Sequence, residues 1–232
     1  MLPRPLRLKQ NYHSYNLRID RINLDFDYAL TLKAKTVERK ISKRRSEEPF
    51  KPTKQQLARA AGKTVPDVIA PNLLVLFSGI NPGLYTAAVG HHFARPGNRF
   101  WPALYKSGFT RRLLSPFEET ELLESQLGIT NVVAHATASA AELTRSDFAK
   151  GGRVLKAKVR RYRPKIVAIL GMGAYREAFD RPKAAIGEQD DRIGDARVWV
   201  LPNPSGLNAN YQLPELVKLF RKLRKAADTC RE

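Results

Sequence analysis

Residues 79–83 read Gly-Ile-Asn-Pro-Gly and follow directly on an apolar run. Asn81 is the one side chain in that pentapeptide with polar chemistry. Its amide offers two N–H donors and an acceptor oxygen, but it cannot take up a proton as a carboxylate does. Such a group orients a water or a substrate edge; it is a poor general base. Proline presets φ for a tight turn and the following glycine accepts positive φ. The Asn-Pro-Gly turn taken alone serves geometry as readily as function. Other chemistry is scarce. There is no GxSxG nucleophile elbow, no lysine-bearing phosphate loop and no GxGxxG after the first apolar run, and Gly171-Met172-Gly173 is too short to supply one. His13, His91, His92 and His135 lack metal-binding spacing, and Cys230 is the only cysteine, so no metal site or cofactor is expected.

The elements that would position Asn81 follow an α/β rhythm. Leu73–Phe77 is apolar throughout, of strand length and without helical period, which suits a strand buried on both faces. Asn81 then sits at the carboxyl end of a sheet strand, where open α/β sheets bind ligands. Helices are predicted over 98–107 (Asn98 as its cap), 116–127, 146–162 with Ser146 as N-cap, 174–179, and from Pro214 onward. Further strands are predicted at 128–133, 165–171 and 197–201. In the 146–162 helix, Phe148, Val154, Leu155 and Val159 are expected inward; Lys150, Arg153, Lys156, Lys158, Arg160 and Arg161 form the outer face. The pattern predicts a three-layer α/β/α fold around a central, mostly parallel sheet.

A net charge of +19 and a pI near 10.3 point to a polyanionic partner. Residues 1–70 carry 16 Lys/Arg against 7 Asp/Glu and the rest 25 against 15, so the globular part is basic in its own right. Ile22, Leu24, Phe26 and Tyr28 alternate like a strand without a partner, and Lys33–Arg45 holds seven basic residues. Residues 1–60 are therefore expected to be a basic, largely disordered extension, and 61–232 the globular domain. The lone cysteine fits a reducing compartment. No apolar run approaches the ~20 residues of a membrane span, and MLPRPLRLKQ has no secretory apolar region behind its charges.

Several pieces taken together are specific. Gly79-Ile80-Asn81-Pro82-Gly83-Leu84, Gly90-His91-His92-Phe93, Pro96-Gly97-Asn98-Arg99-Phe100-Trp101 and Asn203-Pro204-Ser205-Gly206-Leu207 occur in this order, with 128–133, 151–153 and 199–202 between them. From about Val65 to about Ala227 the chain resembles the mismatch-specific uracil/thymine-DNA glycosylases of the uracil-DNA glycosylase superfamily.

That resemblance implies a uracil-DNA glycosylase-like fold and roles for individual residues. Asn81 would position the attacking water, with Thr137 near it. Phe93 would stack on the extruded base, Ile80 would lend backbone contacts, Thr86 would crowd a thymine methyl, and His92 would lie near the pocket. Leu207 would enter the duplex as an apolar wedge, Gly206 and Asn208 would meet the orphaned guanine through main-chain groups, and Ser205 would bind a flanking phosphate. The blander alternatives are a turn-capping amide at Asn81, core packing at Phe93 and a loop anchor at Leu207.

By the same resemblance the activity would be monofunctional: excision of uracil, and also of ethenocytosine and other modified pyrimidines, from G mispairs in double-stranded DNA, with thymine a poor substrate, leaving an abasic site for downstream repair enzymes. The protein is expected to be a cofactor-free, membrane-free monomer. It would be cytoplasmic and nucleoid-associated in a bacterium, nuclear in a eukaryote. Two other readings stay open: a related glycosylase preferring a lesion such as hypoxanthine, and a non-catalytic DNA-binding module.

Overall fold

The computed structural model describes residues 51–230. The expectations for residues 1–50, including the alternating run at 22–28 and the basic segment 33–45, lie outside the described residues.

Five strands form one sheet in the order β2-β1-β3-β5-β4: β1 Val75–Gly79, β2 Leu127–Asn131, β3 Ile166–Leu170, β4 Gly187–Ile193 and β5 Ala196–Leu201. All neighbours are parallel except β4 against β5. Every residue of β1, β2 and β3 is buried, as the unbroken apolar runs require of strands covered on both faces. Alternate side chains then feed two cores. Phe77, Ala168, Trp199 and Leu201 pack with helix α3 (Phe100–Lys106) and helix α6 (Leu213–Asp228). Leu76, Val167, Ile169, Val198 and Val200 pack with helix α4 (Arg145–Tyr162) and helix α5 (Met172–Phe179) on the other face. The three-layer, mostly parallel architecture is the expected one. Among the described residues, no helix is long and apolar enough to cross a membrane.

Residues 53–60 belong to the packed region. Thr53 and Gln56 close a capping box at helix α1 (Lys54–Ala58), and Ala60 is fully buried with Val65, Ala87 and Ala136. The 116–127 helix is a 3-10 segment, Pro116–Ser125, kinked at Glu118. Helix α4 is capped by Thr144 with Asp147, not by Ser146. Val154 faces outward because Gly151, Gly152, Leu155 and Val159 take the inner stripe. Lys158 is not a free surface cation: it pairs with Asp67 at 2.5 Å and donates to Thr130 at 3.0 Å.

Strand β4 has no counterpart among the predicted elements. Its sequence, GEQDDRI, carries no apolar alternation, since it is a charged outer strand held by side chains. Arg197 forks onto Glu188, and Asp191 takes Arg181 and the Tyr175 hydroxyl. Burial, reinforced by Asp191, pushes the Tyr175 phenol up to about 12.

The chain leaves β1, returns as β2 on one side and then crosses to β3 on the other. Strand order thus reverses beside β1, and residues 80–83 lie just beyond its carboxyl end, where such sheets leave a crevice.

Candidate active site

A cavity of about 360 Å³ opens beyond β1 and β2, within the ~300–1,000 Å³ common for small-molecule clefts. Nine of the residues picked from the sequence line it: Ile80, Asn81, Thr86, His92, Phe93, Thr137, Ser205, Leu207 and Asn208. The tenth, Gly206, lines an adjoining recess of about 350 Å³ with Arg95, Gly97, Arg99 and Leu207.

Asn81 donates from Nδ2 to the Thr137 hydroxyl at 2.8 Å and to the His135 carbonyl at 3.2 Å. The Thr137 hydroxyl in turn donates to the Ser139 carbonyl at 2.8 Å. A carbonyl can only accept, and a hydroxyl whose proton is spent on a carbonyl can only accept from its other neighbour. Both partners therefore demand the amide nitrogen, and the amide cannot flip without losing both bonds. No described protein group engages Oδ1, the one free hydrogen-bonding atom of this side chain. Thr137 is held in place by its own N–H to Pro82 O and by bridge pairing with Gly83. It touches Asn81 and backbone, which makes it a positioning residue.

Phe93 lies with its ring 4.1 Å from Phe100, centroid to centroid, at an interplanar angle of 24°. Phe100 packs edge-on to Phe77 and Phe220, so the slab is braced by the core. Phe93 holds φ +54°, a left-handed conformation that costs a bulky residue about 1–2 kcal/mol. The surrounding packing absorbs that strain in order to set this ring on the cavity wall. Thr86 is buried in helix α2 (Leu84–Val89) rather than facing solvent. The Ile80 carbonyl accepts from Val133 N–H at 2.8 Å, so that main-chain oxygen is already used within the fold.

His92 belongs to the wall, but its ring is occupied. It is 1% exposed; Nε2 meets the Pro66 carbonyl at 2.9 Å and Nδ1 meets Asn131 Nδ2 at 3.4 Å. The carbonyl partner places the proton on Nε2, leaving Nδ1 to accept. Burial holds the imidazole pKa below its usual value, against the opposing pull of Glu119, so the neutral form is favoured. Glu119, buried beneath, takes the His92 backbone N–H at 2.7 Å and the His91 ring at 2.9 Å. His92 thus lies on the pocket wall as expected, with its ring supporting Asn131.

Asn131 was not among the residues picked from the sequence. It stands at the carboxyl end of β2, beside Gly79 in register, and lines the cavity. A Cβ on Gly79 would lie 2.5 Å from its Oδ1 and 3.4 Å from Phe93, so only glycine leaves room for amide and ring together. The signal was present: a polar amide at the carboxyl end of a buried strand, as Asn81 stands just beyond β1. Arg95 and Asn98 were missed as well; both line the cavity and the adjoining recess. Asn98 accepts the Phe100 N–H at 2.9 Å, but the helix begins at Phe100 and its N-cap is Arg99, one residue after the cap expected at Asn98.

Leu207 is 73% exposed on the loop after β5, the most exposed of the large apolar side chains among the described residues. Asn203 turns that loop, accepting from Ser205 N–H at 3.0 Å and from Asn208 Nδ2 at 2.9 Å. No group of three or more His, Cys, Asp or Glu able to hold a metal occurs among the described residues.

A solution NMR structure of a Methanosarcina acetivorans protein, provisionally named a uracil DNA glycosylase, is similar over 70% of this chain and 98% of that one, at 18% identity and a TM-score of 0.47. The model of the uracil DNA glycosylase superfamily matches residues 66–227, well over half of the 232-residue chain. This chain belongs to the uracil DNA glycosylase superfamily.

Proposed function

We propose that the protein is a monofunctional DNA glycosylase that removes uracil from G·U mispairs in duplex DNA. The observation that carries this is Asn81: both of its N–H groups are held by acceptors, and its oxygen is left free on a cavity also lined by Phe93 and Leu207. The base leaves the stack, at a cost of a few kcal/mol that is least for a mispair, and its ring stacks on Phe93. Asn131 offers its carboxamide to the base edge, and Thr86 fills the space a C5 methyl needs.

The N-glycosidic bond breaks with its electron pair going to the base. The sugar becomes oxocarbenium-like, and a water held by Asn81 Oδ1 adds to C1′. One water proton ends on the departing base and the hydroxyl on the sugar, which balances the hydrolysis. An amide contributes little as a base, so the rate comes from orientation and charge stabilisation, and turnover is slow. Among the described residues no lysine lines the cavity, which supports simple hydrolysis over Schiff-base chemistry with strand cleavage. Leu207 fills the vacated stack. The +19 charge supplies duplex affinity that falls by roughly one log unit per log salt for each phosphate neutralised. A DNA-containing compartment, nucleoid or nucleus, is where such an enzyme works.

The test is a panel of duplexes with U, T, ethenocytosine or hypoxanthine opposite G and A, scored for alkali-labile abasic product. G·U is expected to react fastest. Asn81→Ala should lose on the order of 10²-fold in single-turnover rate while still binding the abasic product duplex. A preference for hypoxanthine, or an unchanged rate in Asn81→Ala, would overturn the assignment.

A further inference from the structure

Arg99, the residue capping helix α3, makes an unusual set of contacts with the loop that carries Leu207. Nη1 donates to the carbonyls of Ser205 at 3.0 Å, Asn208 at 3.0 Å and Tyr211 at 3.1 Å. Nη2 donates to the Gly206 carbonyl at 3.3 Å and to Gln212 Oε1 at 2.9 Å. The Arg99 backbone N–H adds a bond to the Pro204 carbonyl at 2.9 Å. One residue thus gathers five main-chain oxygens between 204 and 211, in a segment with no helix or strand of its own. On the far side Gly206 is seated against the neighbouring loop, where a Cβ would stand 2.6 Å from the Gly97 carbonyl.

We infer that Arg99 is the positioning residue for the strand-entering loop: its guanidinium folds 204–212 into the shape that holds Leu207 outward, ready to occupy a vacated stack. The inference rests on the proposed function, since it takes the duplex as the loop's target. The chemistry favours a guanidinium over any other side chain. A planar fork with five donors can meet several carbonyls at once, whereas an ammonium is a point donor on a flexible stem. Gathering the carbonyls of 205, 206 and 208 inward also fixes the loop's peptide planes. Each trans peptide then turns its N–H the opposite way. The Leu207 N–H is met by the Ser205 hydroxyl at 3.3 Å and the Asn208 N–H by the Ser205 carbonyl at 3.0 Å, which tightens the turn beneath the leucine. A leucine left 73% exposed gains nothing from the folded protein alone; a loop this heavily bonded to present it is preorganised for an occupant outside the protein.

The test uses a duplex with a tetrahydrofuran abasic analogue opposite G and 2-aminopurine next to it, so that wedge insertion is read by fluorescence and affinity without any catalytic step. Wild type should bind this duplex in preference to an intact one and change its fluorescence. Leu207→Ala and Arg99→Lys should each lose most of that change and at least about tenfold in affinity, the fold-change of leaving one leucine unburied. The double variant should fall no further than the weaker single, because both remove the same event. Should Arg99→Lys fail to fold, Gly206→Ala unseats the same loop from the Gly97 side and is expected to lose the signal likewise. Retention of signal and affinity within twofold in Arg99→Lys, or additive losses in the double, would overturn the inference. A wild type with no preference for the abasic duplex would instead overturn the glycosylase assignment beneath it.

Discussion

Replacing Thr137 by valine keeps the side-chain shape and removes only the hydroxyl, which isolates the link between Thr137 and Asn81. In the native site the amide is pinned by Thr137 Oγ1 at 2.8 Å and His135 O at 3.2 Å, and the hydroxyl proton is committed to Ser139 O. After Thr137→Val the longer bond to the His135 carbonyl is all that opposes rotation of the amide. A neutral hydrogen bond contributes about 0.5–1.5 kcal/mol net, so the productive orientation loses roughly 2- to 13-fold in population. That is the expected drop in single-turnover rate on a G·U duplex. Affinity for the duplex should hold, since Thr137 touches Asn81 and backbone only. The Ser139 carbonyl is exposed and finds water, so melting temperature should barely move. Thr137→Ser should restore the rate, and Asn81→Ala with Thr137→Val should equal Asn81→Ala alone. Additive losses in that double variant, or a Thr137→Val rate indistinguishable from wild type, would refute the claim that threonine acts through the amide.

Thr86→Ala should open the pocket where a thymine methyl falls. Wild type is expected to favour G·U over G·T by roughly 10- to 200-fold, as one methyl in a fitted pocket allows, and competition between the two duplexes should show the ratio shrinking in the variant. His92 predicts a pH effect on stability. Its folded pKa lies below the usual 6.5 because of burial, so the unfolded chain takes the proton first. Stability is then complete above about 6.5 and declines as pH falls toward the folded value. Asp191 and Glu188, which hydrogen bonds from Arg181 and Arg197 hold below the usual carboxylate range, lose their contribution only at more acid pH. Thermal melts between pH 7 and pH 5 should steepen for wild type and flatten for His92→Gln; parallel curves would remove His92 as the cause.

Where sequence anticipated the structure, the signal was hydrophobic. The apolar runs Leu73–Phe77 and Ile166–Leu170 could be buried only as inner strands, and Leu216, Val217, Phe220 and Leu223 could share a face only on a helix; all are core residues. Failures came where side-chain bonds replaced burial. GEQDDRI forms β4 through Arg181, Arg197 and Tyr175, partners that no periodicity reveals. Thr144 displaced Ser146 as cap because Asp147 stands three residues after it, a spacing visible in the chain and outweighed by the apolar pattern. Glu119 lies in the first turn of the 116–125 segment, and its burial against His91 and the His92 backbone has no signature in the periodicity.

The candidate site divides along the same line, and the division has a physical cause. Asn81, Phe93 and Leu207 are visible because a motif displays side chains. What orients the site is mostly side chain bonded to main-chain oxygen: Asn81 to His135, His92 to Pro66, Arg99 to the carbonyls of 205, 206, 208 and 211. A carbonyl looks the same under every residue type, so these partners leave no trace in composition or spacing. They are also strict partners, since an oxygen that only accepts decides which amide atom faces it and which imidazole nitrogen keeps its proton. The orientations that the proposed chemistry needs are therefore fixed by backbone geometry, which no side-chain replacement at 135, 66 or 205–211 deletes outright. Proline or β-branched substitutions that bend the backbone at 135, 205 or 208 should accordingly disturb the site more than alanine at the same positions.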